Sequence, residues 1–254
     1  MNVMMDKMKD VVFTQLAEIT RTESGSIETA TSLICDAIQD DVMVHVLGTG
    51  AHSAMAAEEV LWRAGGLAAW NPIIDPGTSL IHGARKSISF ERLPGYGIGV
   101  LDAYGVGQNK KEVMIIVNAY GIDQMCLDVA FECQNRGVKT IGITSKEYAR
   151  AVSLDDPVRH SSRKNLFEVV DVCIDSHVPY GDAAVNVEGL ESKVGSVSTF
   201  CNCFIMNSLV ANIAQELVRR GIDPPVFVSA NVPGGLDANV KWEEKYGHRV
   251  RHLL

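Results

Sequence analysis

The stretch Val42-Met-Val-His-Val-Leu-Gly-Thr-Gly-Ala-His-Ser53 determines how the rest of the sequence is interpreted. Its apolar, β-branched beginning predicts a buried strand over residues 42–47. Gly48 and Gly50 then let the backbone turn tightly and come close to a ligand. A helix predicted over residues 52–65 would present its first N–H groups, which have no partner within the helix, at the same turn. Strand, turn and helix together predict a binding site for an anion.

Predicted strands and helices alternate along the chain beyond this turn. Ahead of it, the apolar spacing over residues 4–39, interrupted at Thr22-Glu-Ser-Gly25, predicts two N-terminal helices. Further strands are predicted at 67–70, 112–118, 138–144 and 169–174, and further helices at 122–136 and 196–220. Residues 71–98, which contain several prolines and glycines, are interpreted as a long irregular loop. Residues 145–164 form a polar stretch, and the tail 224–254 shows little periodicity. The alternation predicts an α/β fold, a doubly wound parallel sheet flanked by helices, whose ligands bind beyond the carboxyl ends of the strands.

The composition is that of an ordinary globular protein. With a formal net charge of −8 and a pI near 5.4, the chain lacks the basic surface that nucleic acids require. No apolar run is long enough to span a membrane, and the first residues lack the apolar block of a signal peptide. The six cysteines form no pair with metal-ligand spacing and are interpreted as reduced thiols of the core. We therefore predict a cytoplasmic protein with no nucleic-acid or membrane partner and no metal or other cofactor.

Three kinds of phosphate site begin with a glycine-rich turn of this sort. A dinucleotide site requires a third glycine where this chain has Ser53, and an acidic residue where the next strand ends in Trp70-Asn71-Pro72. A Walker P-loop requires Gly-Lys-Ser/Thr, which does not follow the turn. A site for the phosphate of a sugar is the third kind, and it does not depend on either signature.

Motifs further along the chain resemble one family. They are Gly48-Thr-Gly-Ala-His-Ser53, Glu58-Glu-Val-Leu-Trp-Arg-Ala-Gly-Gly-Leu67, Glu91-Arg-Leu-Pro-Gly95, His177-Val-Pro-Tyr-Gly-Asp182, Lys193-Val-Gly-Ser-Val-Ser-Thr199 and Pro224-Pro-Val-Phe-Val-Ser-Ala-Asn231. In this order they resemble a less characterised bacterial branch of the sugar isomerase (SIS) domain family. The resemblance implies a five-stranded parallel sheet, a 41–254 sugar-binding domain behind a 1–40 helical segment, and homodimers or homotetramers with shared active sites.

One loop departs from the pattern of that family. SIS proteins usually carry Ser-x-Ser-Gly-x-Thr after a later strand, and its hydroxyls and amides hold the phosphate. Here the same place reads Asn118-Ala-Tyr-Gly-Ile-Asp123. A carboxylate at the last position would repel phosphate unless it points away. Either the phosphate is held elsewhere, or the substrate carries a different group.

The resemblance and the residue chemistry together give a set of candidate site residues. Moving a proton between C2 and C1 of a sugar through an enediol requires a base and a second group that transfers protons to and from the sugar oxygens. The catalytic candidates are Glu59, His52, Glu191 and His177, and the substrate-binding candidates are Gly48, Thr49, Gly50, Ser53, Asn118, Tyr120, Asp182, Ser198 and Thr199. Structural roles compete for several of them: Glu59 can pair with Arg63 four residues later, and Ser198 can cap a helix.

Two classes of function follow. The first is an enzyme, an aldose–ketose isomerase that acts on a phosphorylated or otherwise anionic sugar. The second is a non-catalytic, regulatory module that binds a sugar phosphate, which the altered 118–123 loop favours. A lyase or etherase that shares the C2-proton step is a further alternative.

Overall fold

The computed structural model describes residues 3–253, and its centre is a parallel sheet of five strands. The strands are β1 (Val44–Gly48), β2 (Trp70–Ile73), β3 (Val113–Val117), β4 (Lys139–Thr144) and β5 (Val172–Asp175), in the spatial order β2-β1-β3-β4-β5. Because all neighbours are parallel, their carboxyl ends share one edge. The predicted doubly wound α/β fold with N-terminal helices is confirmed.

Helices cover both faces of the sheet. They are α1 (Val3–Thr22), α2 (Ser24–Gln39), α3 (Met55–Val60), α4 (Ala84–Glu91), α5 (Tyr96–Ala103), α6 (Gln124–Arg136), α7 (Lys146–Ala151), α8 (Leu166–Val169), α9 (Ser198–Arg219) and α10 (Gly235–Tyr246). A short antiparallel pair, β6 (Ala183–Val185) and β7 (Val194–Ser196), precedes α9.

The apolar strands explain the two-sided packing. Every residue of β3 is buried, and alternate residues face opposite sides of the sheet. Ile115 belongs to the core that α2 and α9 cover, whereas Met114 and Ile116 belong to the core under α5 and α6. A strand with water on one face would have alternated with polar residues, so the continuous apolar run was the correct signal.

Three predictions about single elements were wrong. The helix predicted over 52–65 is only α3, because Leu61 is already extended and Trp62 has a φ of 51°. The stretch 71–98 contains most of β2, which shares only Trp70 with the strand predicted at 67–70, together with a 3-10 turn, α4 and the start of α5. The tail contains α10, whose Tyr246 and Trp242 pack against the core. In each case packing on the sheet decided the structure, since short helices carry little periodic signal.

Two further observations concern the composition. All six cysteines are free thiols, and four of them are buried. Within residues 3–253, no helix is both long and apolar enough to cross a membrane.

Candidate active site

A cavity of about 260 Å³ lies where β1 and β3 end, at the edge of the sheet predicted to bind a ligand. Its wall is formed by the loop 50–53, one face of α4, the segment 118–120, and single residues from later parts of the chain. Those later residues are Tyr148, Asp182 and Ser198. The site therefore combines segments that are far apart in sequence.

The loop between β1 and α3 presents unpaired donors to this cavity. Within residues 3–253, the backbone N–H groups of Gly50, His52 and Ser53 have no hydrogen-bond partner in the protein. The Ser53 hydroxyl also has no protein partner there, although the residue is only 8% exposed. Because α3 has just six residues, these loop donors, rather than a helix dipole, are the groups that an anion could meet at this loop.

Gly48 and Gly50 give the loop its shape in different ways. A Cβ on Gly48 would lie 2.1 Å from the carbonyl oxygen of Ser53, so only glycine lets the loop fold back on β1. Gly50 has a φ of 151°, in the region that favours glycine. Of the predicted binding residues in this loop, Gly50 and Ser53 line the cavity, whereas Gly48 and Thr49 do not.

Asn118 joins the first loop to the second. Its Nδ2 donates to the carbonyl oxygen of Thr49 at 2.6 Å and to Oδ2 of Asp123 at 2.7 Å. Its Oδ1 accepts from the backbone N–H groups of Gly121 at 2.8 Å and Tyr120 at 3.2 Å. The side chain is buried, and it thereby fixes both loops relative to each other.

The acidic residue that replaces the usual threonine points away from the cavity. Asp123 is fully buried, and its Oδ1 accepts from the backbone N–H of Cys126 at 2.8 Å, which caps α6. Burial, together with the charge of Glu91, raises the pKa of Asp123 to about 8. Asp123 is therefore an internal cap, and the repulsion of phosphate considered from the sequence is reduced by its orientation.

Glu91, at the end of α4, lines the cavity and is one of its two carboxylates, the other being Asp182. Glu91 is 6% exposed, and the hydroxyl of Tyr120 donates to its Oε1 at 3.3 Å. Its Oε2 lies 3.0 Å from where a Cβ of Gly50 would be, so it adjoins the free N–H groups of the loop. Burial raises the pKa of Glu91, while the hydrogen bond from Tyr120 and the charge of Arg92 act against this.

Sequence reasoning used Glu91 only as part of a motif and did not select it as a site residue. A usable signal existed: Ala84, Ile88 and Glu91 lie on one helical face and all line the cavity. The interpretation of 71–98 as irregular hid that spacing.

Asp182 and Ser198, which were both predicted to bind substrate, both line the cavity. Their polar groups, however, are hydrogen-bonded mainly to each other. Asp182 Oδ1 accepts from the backbone N–H groups of Val197 at 2.9 Å and Ser198 at 2.8 Å, and the Ser198 hydroxyl donates to Oδ2 at 2.7 Å. The carboxylate therefore occupies the N-terminus of α9, where a phosphate would otherwise be attracted. Thr199 donates to Met55 Sδ at 3.7 Å and does not line the cavity.

The four catalytic candidates lie in different places. His52 is exposed at the cavity wall. Glu59 pairs with Arg63 at 3.1 Å and accepts from Asn207 between α3 and α9. His177 contacts Thr22 through Nε2 at 2.8 Å, and Glu191 is exposed between β6 and β7. Only His52 of these four lines the cavity.

A row of tyrosines, which sequence reasoning also missed in part, borders the cavity. The ring of Tyr148 lies 5.5 Å from that of Tyr120 and 5.2 Å from that of Tyr180. Tyr148 and Tyr120 line the cavity, so an aromatic face and two hydroxyls are available to a polyhydroxylated ligand. No cluster of three or more histidine, cysteine or acidic residues suited to a metal occurs in the described part of the chain.

Residues 9–145, more than half of the chain, match the family model of the SIS domain. The chain belongs to the SIS domain family. This confirms the resemblance drawn from the sequence motifs. The matched range contains both loops and Glu91, whereas Asp182 and Ser198 lie outside it.

Relatives of this SIS protein cover nearly its whole length. A UPF0309 protein of Thermoanaerobacter pseudethanolicus is 38% identical over 96% of this chain and 98% of its own. A UPF0309 protein of Caldanaerobacter subterraneus is 37% identical over 98% of this chain and 100% of its own. The similarity thus spans nearly the full length of both this chain and those relatives.

Solved structures show the same fold. A phosphoheptose isomerase from Neisseria gonorrhoeae has a TM-score of 0.52 at 13% identity, covering 81% of this chain and 94% of its own. A phosphoheptose isomerase from Francisella tularensis has a TM-score of 0.51 at 13% identity, covering 85% of this chain and 99% of its own. At this identity the similarity establishes the fold of the SIS protein and leaves its chemistry to the site.

Proposed function

We propose that this protein is an aldose–ketose isomerase that acts on a phosphorylated sugar. The observation that carries the proposal is a buried carboxyl group, Glu91, beside a loop in which the N–H groups of Gly50, His52 and Ser53 are unpaired. A carboxyl group moves protons, and free N–H groups bind an anion. Structural likeness to two phosphoheptose isomerases makes a sugar phosphate the natural substrate class.

In the proposed complex, the anionic group binds to the N–H groups of Gly50, His52 and Ser53 and to the Ser53 hydroxyl. The sugar chain extends toward Tyr120 and Tyr148, whose rings and hydroxyls border the cavity. No lysine or arginine lines the cavity within the described residues. Affinity for the anion therefore depends on aligned N–H dipoles rather than on a full positive charge.

In the proposed reaction, Glu91 removes the proton from C2 of the open-chain aldose. The electron pair of the C2–H bond forms the double bond of an enediolate, and the negative charge develops on the C1 oxygen. His52 protonates that oxygen and then accepts the proton of the C2 hydroxyl, while Glu91 returns its proton to C1 and the C2 oxygen becomes that of the ketone. A raised pKa suits Glu91 to the removal of the C2 proton, because a stronger base accepts a carbon-bound proton more readily.

The test is the exchange of the C2 proton with solvent deuterium for a panel of pentose, hexose and heptose phosphates, with Glu91→Gln as the variant. We expect loss of about 10²-fold or more in the exchange rate. Glu58→Gln, which changes an exposed glutamate of α3, is the control. Exchange by Glu91→Gln at the wild-type rate would refute the mechanism, and loss with Glu59→Gln instead would assign the base to Glu59.

A second candidate, binding without turnover, has one observation in its favour. The Asp182 carboxylate occupies the N-terminus of α9 and accepts a hydrogen bond from the Ser198 hydroxyl. The partial positive charge at that end of the helix is therefore already neutralised. Thermal stabilisation by a sugar phosphate without any exchange would support this regulatory role. Formation of a product other than the ketose would support the lyase or etherase alternative.

Light scattering tests the proposed homodimer or homotetramer.

A further inference from the structure

A second cavity, of about 630 Å³, is lined in part by residues 93–96, the segment that follows Glu91 and Arg92. Its walls come from residues 74–76, from residues 93–104 around α5, and from Arg251 and His252 near the end of the chain. Its volume is in the range of about 300–1,000 Å³ that is usual for small-molecule sites. Neither the proposed reaction nor the first cavity uses these residues.

Hydrogen bonds between the three walls hold this cavity in shape. The hydroxyl of Tyr96 donates to the carboxylate of Asp75 at 2.9 Å. The hydroxyl of Tyr104 donates to the carbonyl oxygen of Ile74 at 2.9 Å and contacts Nε2 of His252 at 2.6 Å. A cavity that is formed before the ligand arrives loses little entropy on binding.

The lining is mostly apolar. Leu93 is 50% exposed, and Pro94 and Val100 add apolar surface beside it. The floor is open at Gly99, where an added Cβ would have no atom within 4 Å. Exposed apolar surface in a concave site favours an apolar or aromatic ligand body.

Among the described residues, Arg251 is the only lysine or arginine that lines this cavity, and it has no ion-pair partner. Its guanidinium lies over the ring of Tyr104, 4.8 Å from the centroid, and donates to the carbonyl oxygen of Ala103. No carboxylate lies within ion-pair distance of it. The other charged wall residue, Asp75, is different, because its oxygens already accept from Thr78 and Tyr96.

We propose that this cavity binds a small organic anion with an apolar or aromatic body. The carboxylate or sulfonate of the ligand pairs with Arg251, and its body packs on Leu93, Val100 and the open face at Gly99. Because residues 93–96 follow α4 directly, an occupied cavity would also influence the position of Glu91. That last link alone rests on the proposed function, and the binding test below does not depend on it.

The test is a fluorescence titration with 8-anilinonaphthalene-1-sulfonate, an anionic aromatic probe, followed by competition with decanoate. We expect one saturable probe site per chain that decanoate empties. Arg251→Gln should weaken binding by about tenfold or more, as expected for loss of a charged hydrogen bond. Gly99→Leu should abolish binding by filling the floor.

Gly25→Leu is the matched control, since Gly25 is also an exposed glycine at a helix position where a Cβ would meet nothing within 4 Å. It should bind the probe as the wild type does. Unchanged binding by Gly99→Leu or by Arg251→Gln would overturn the proposal. A change in molar mass of Gly99→Leu on light scattering would also overturn it, because the cavity would then be an interface between two copies. If Gly99→Leu does not fold, Arg251→Gln decides.

Discussion

Replacing Asn118 by alanine should destabilise the protein far more than the loss of such a small side chain would suggest. The side chain makes five hydrogen bonds of 3.2 Å or less, two to Thr49 and one each to Asp123, Gly121 and Tyr120. Alanine leaves the carbonyl group of Thr49 and the N–H of Gly121 without this partner, and Asp123 loses one of its two donors.

The size of the effect follows from these lost partners. Each buried polar group left unpaired costs about 1–3 kcal/mol. Three such groups, partly relieved by entering water, give about 3–6 kcal/mol, against a typical total stability of about 5–15 kcal/mol. For a chain of this length, at about 2–4 °C per kcal/mol, this lowers the melting temperature by roughly 6–24 °C.

Urea denaturation near pH 7, followed by circular dichroism, measures this change. Asn207→Ala, at an exposed position of α9, is the control and should alter the free energy of unfolding by less than about 1 kcal/mol. A loss below about 1.5 kcal/mol for Asn118→Ala would refute the view that this side chain holds the two loops together. When an osmolyte restores the stability of the variant, the variant should still bind a sugar phosphate more weakly than the wild type does, because both loops line the cavity.

Three further predictions concern the surroundings of the site. Asp182→Ala should cost about 2–4 kcal/mol in the free energy of unfolding, because it removes the cap of α9 and places alanine at a φ of 64°; Asp182→Asn should cost less, and differential scanning calorimetry compares the two. Asp123 has a pKa raised from 3.8 to about 8, so its contribution to stability is fully present below about pH 4 and is lost as the pH rises toward 8. The free energy of unfolding of the wild type minus that of Asp123→Asn should therefore fall by about 2–4 kcal/mol from pH 5 to 8, and a flat difference in urea titrations would contradict the raised pKa. Gly48→Ala should disrupt the loop, since its Cβ would lie 2.1 Å from the Ser53 carbonyl oxygen; Gly25→Ala, in an open helical position, should instead stabilise by about 0.5–1 kcal/mol, and equal melting temperatures for the two would contradict this packing.

Much of the fold could be predicted because its signals are local. A run such as Val113–Val117 is apolar at every position, which is the pattern of a strand covered on both faces. The short helices α3, α4 and α10 could not be placed as well, because a few residues give too little periodicity and their length is set by what they pack against.

The candidate site also has a part that follows from the local sequence and a part that only the tertiary structure decided. The turn from Gly48 to Ser53 follows from the sequence by itself, since its glycines and its position after a buried strand are local properties. Three-dimensional structure decided which carboxylate shares the cavity: Glu91 lies there and Glu59 does not. It also decided that Asp123 points inward as a helix cap, and that Asp182 occupies the end of α9. Those outcomes depend on hydrogen bonds and burial between segments far apart in the chain, and no local pattern of residues encodes which distant donor a carboxylate will meet.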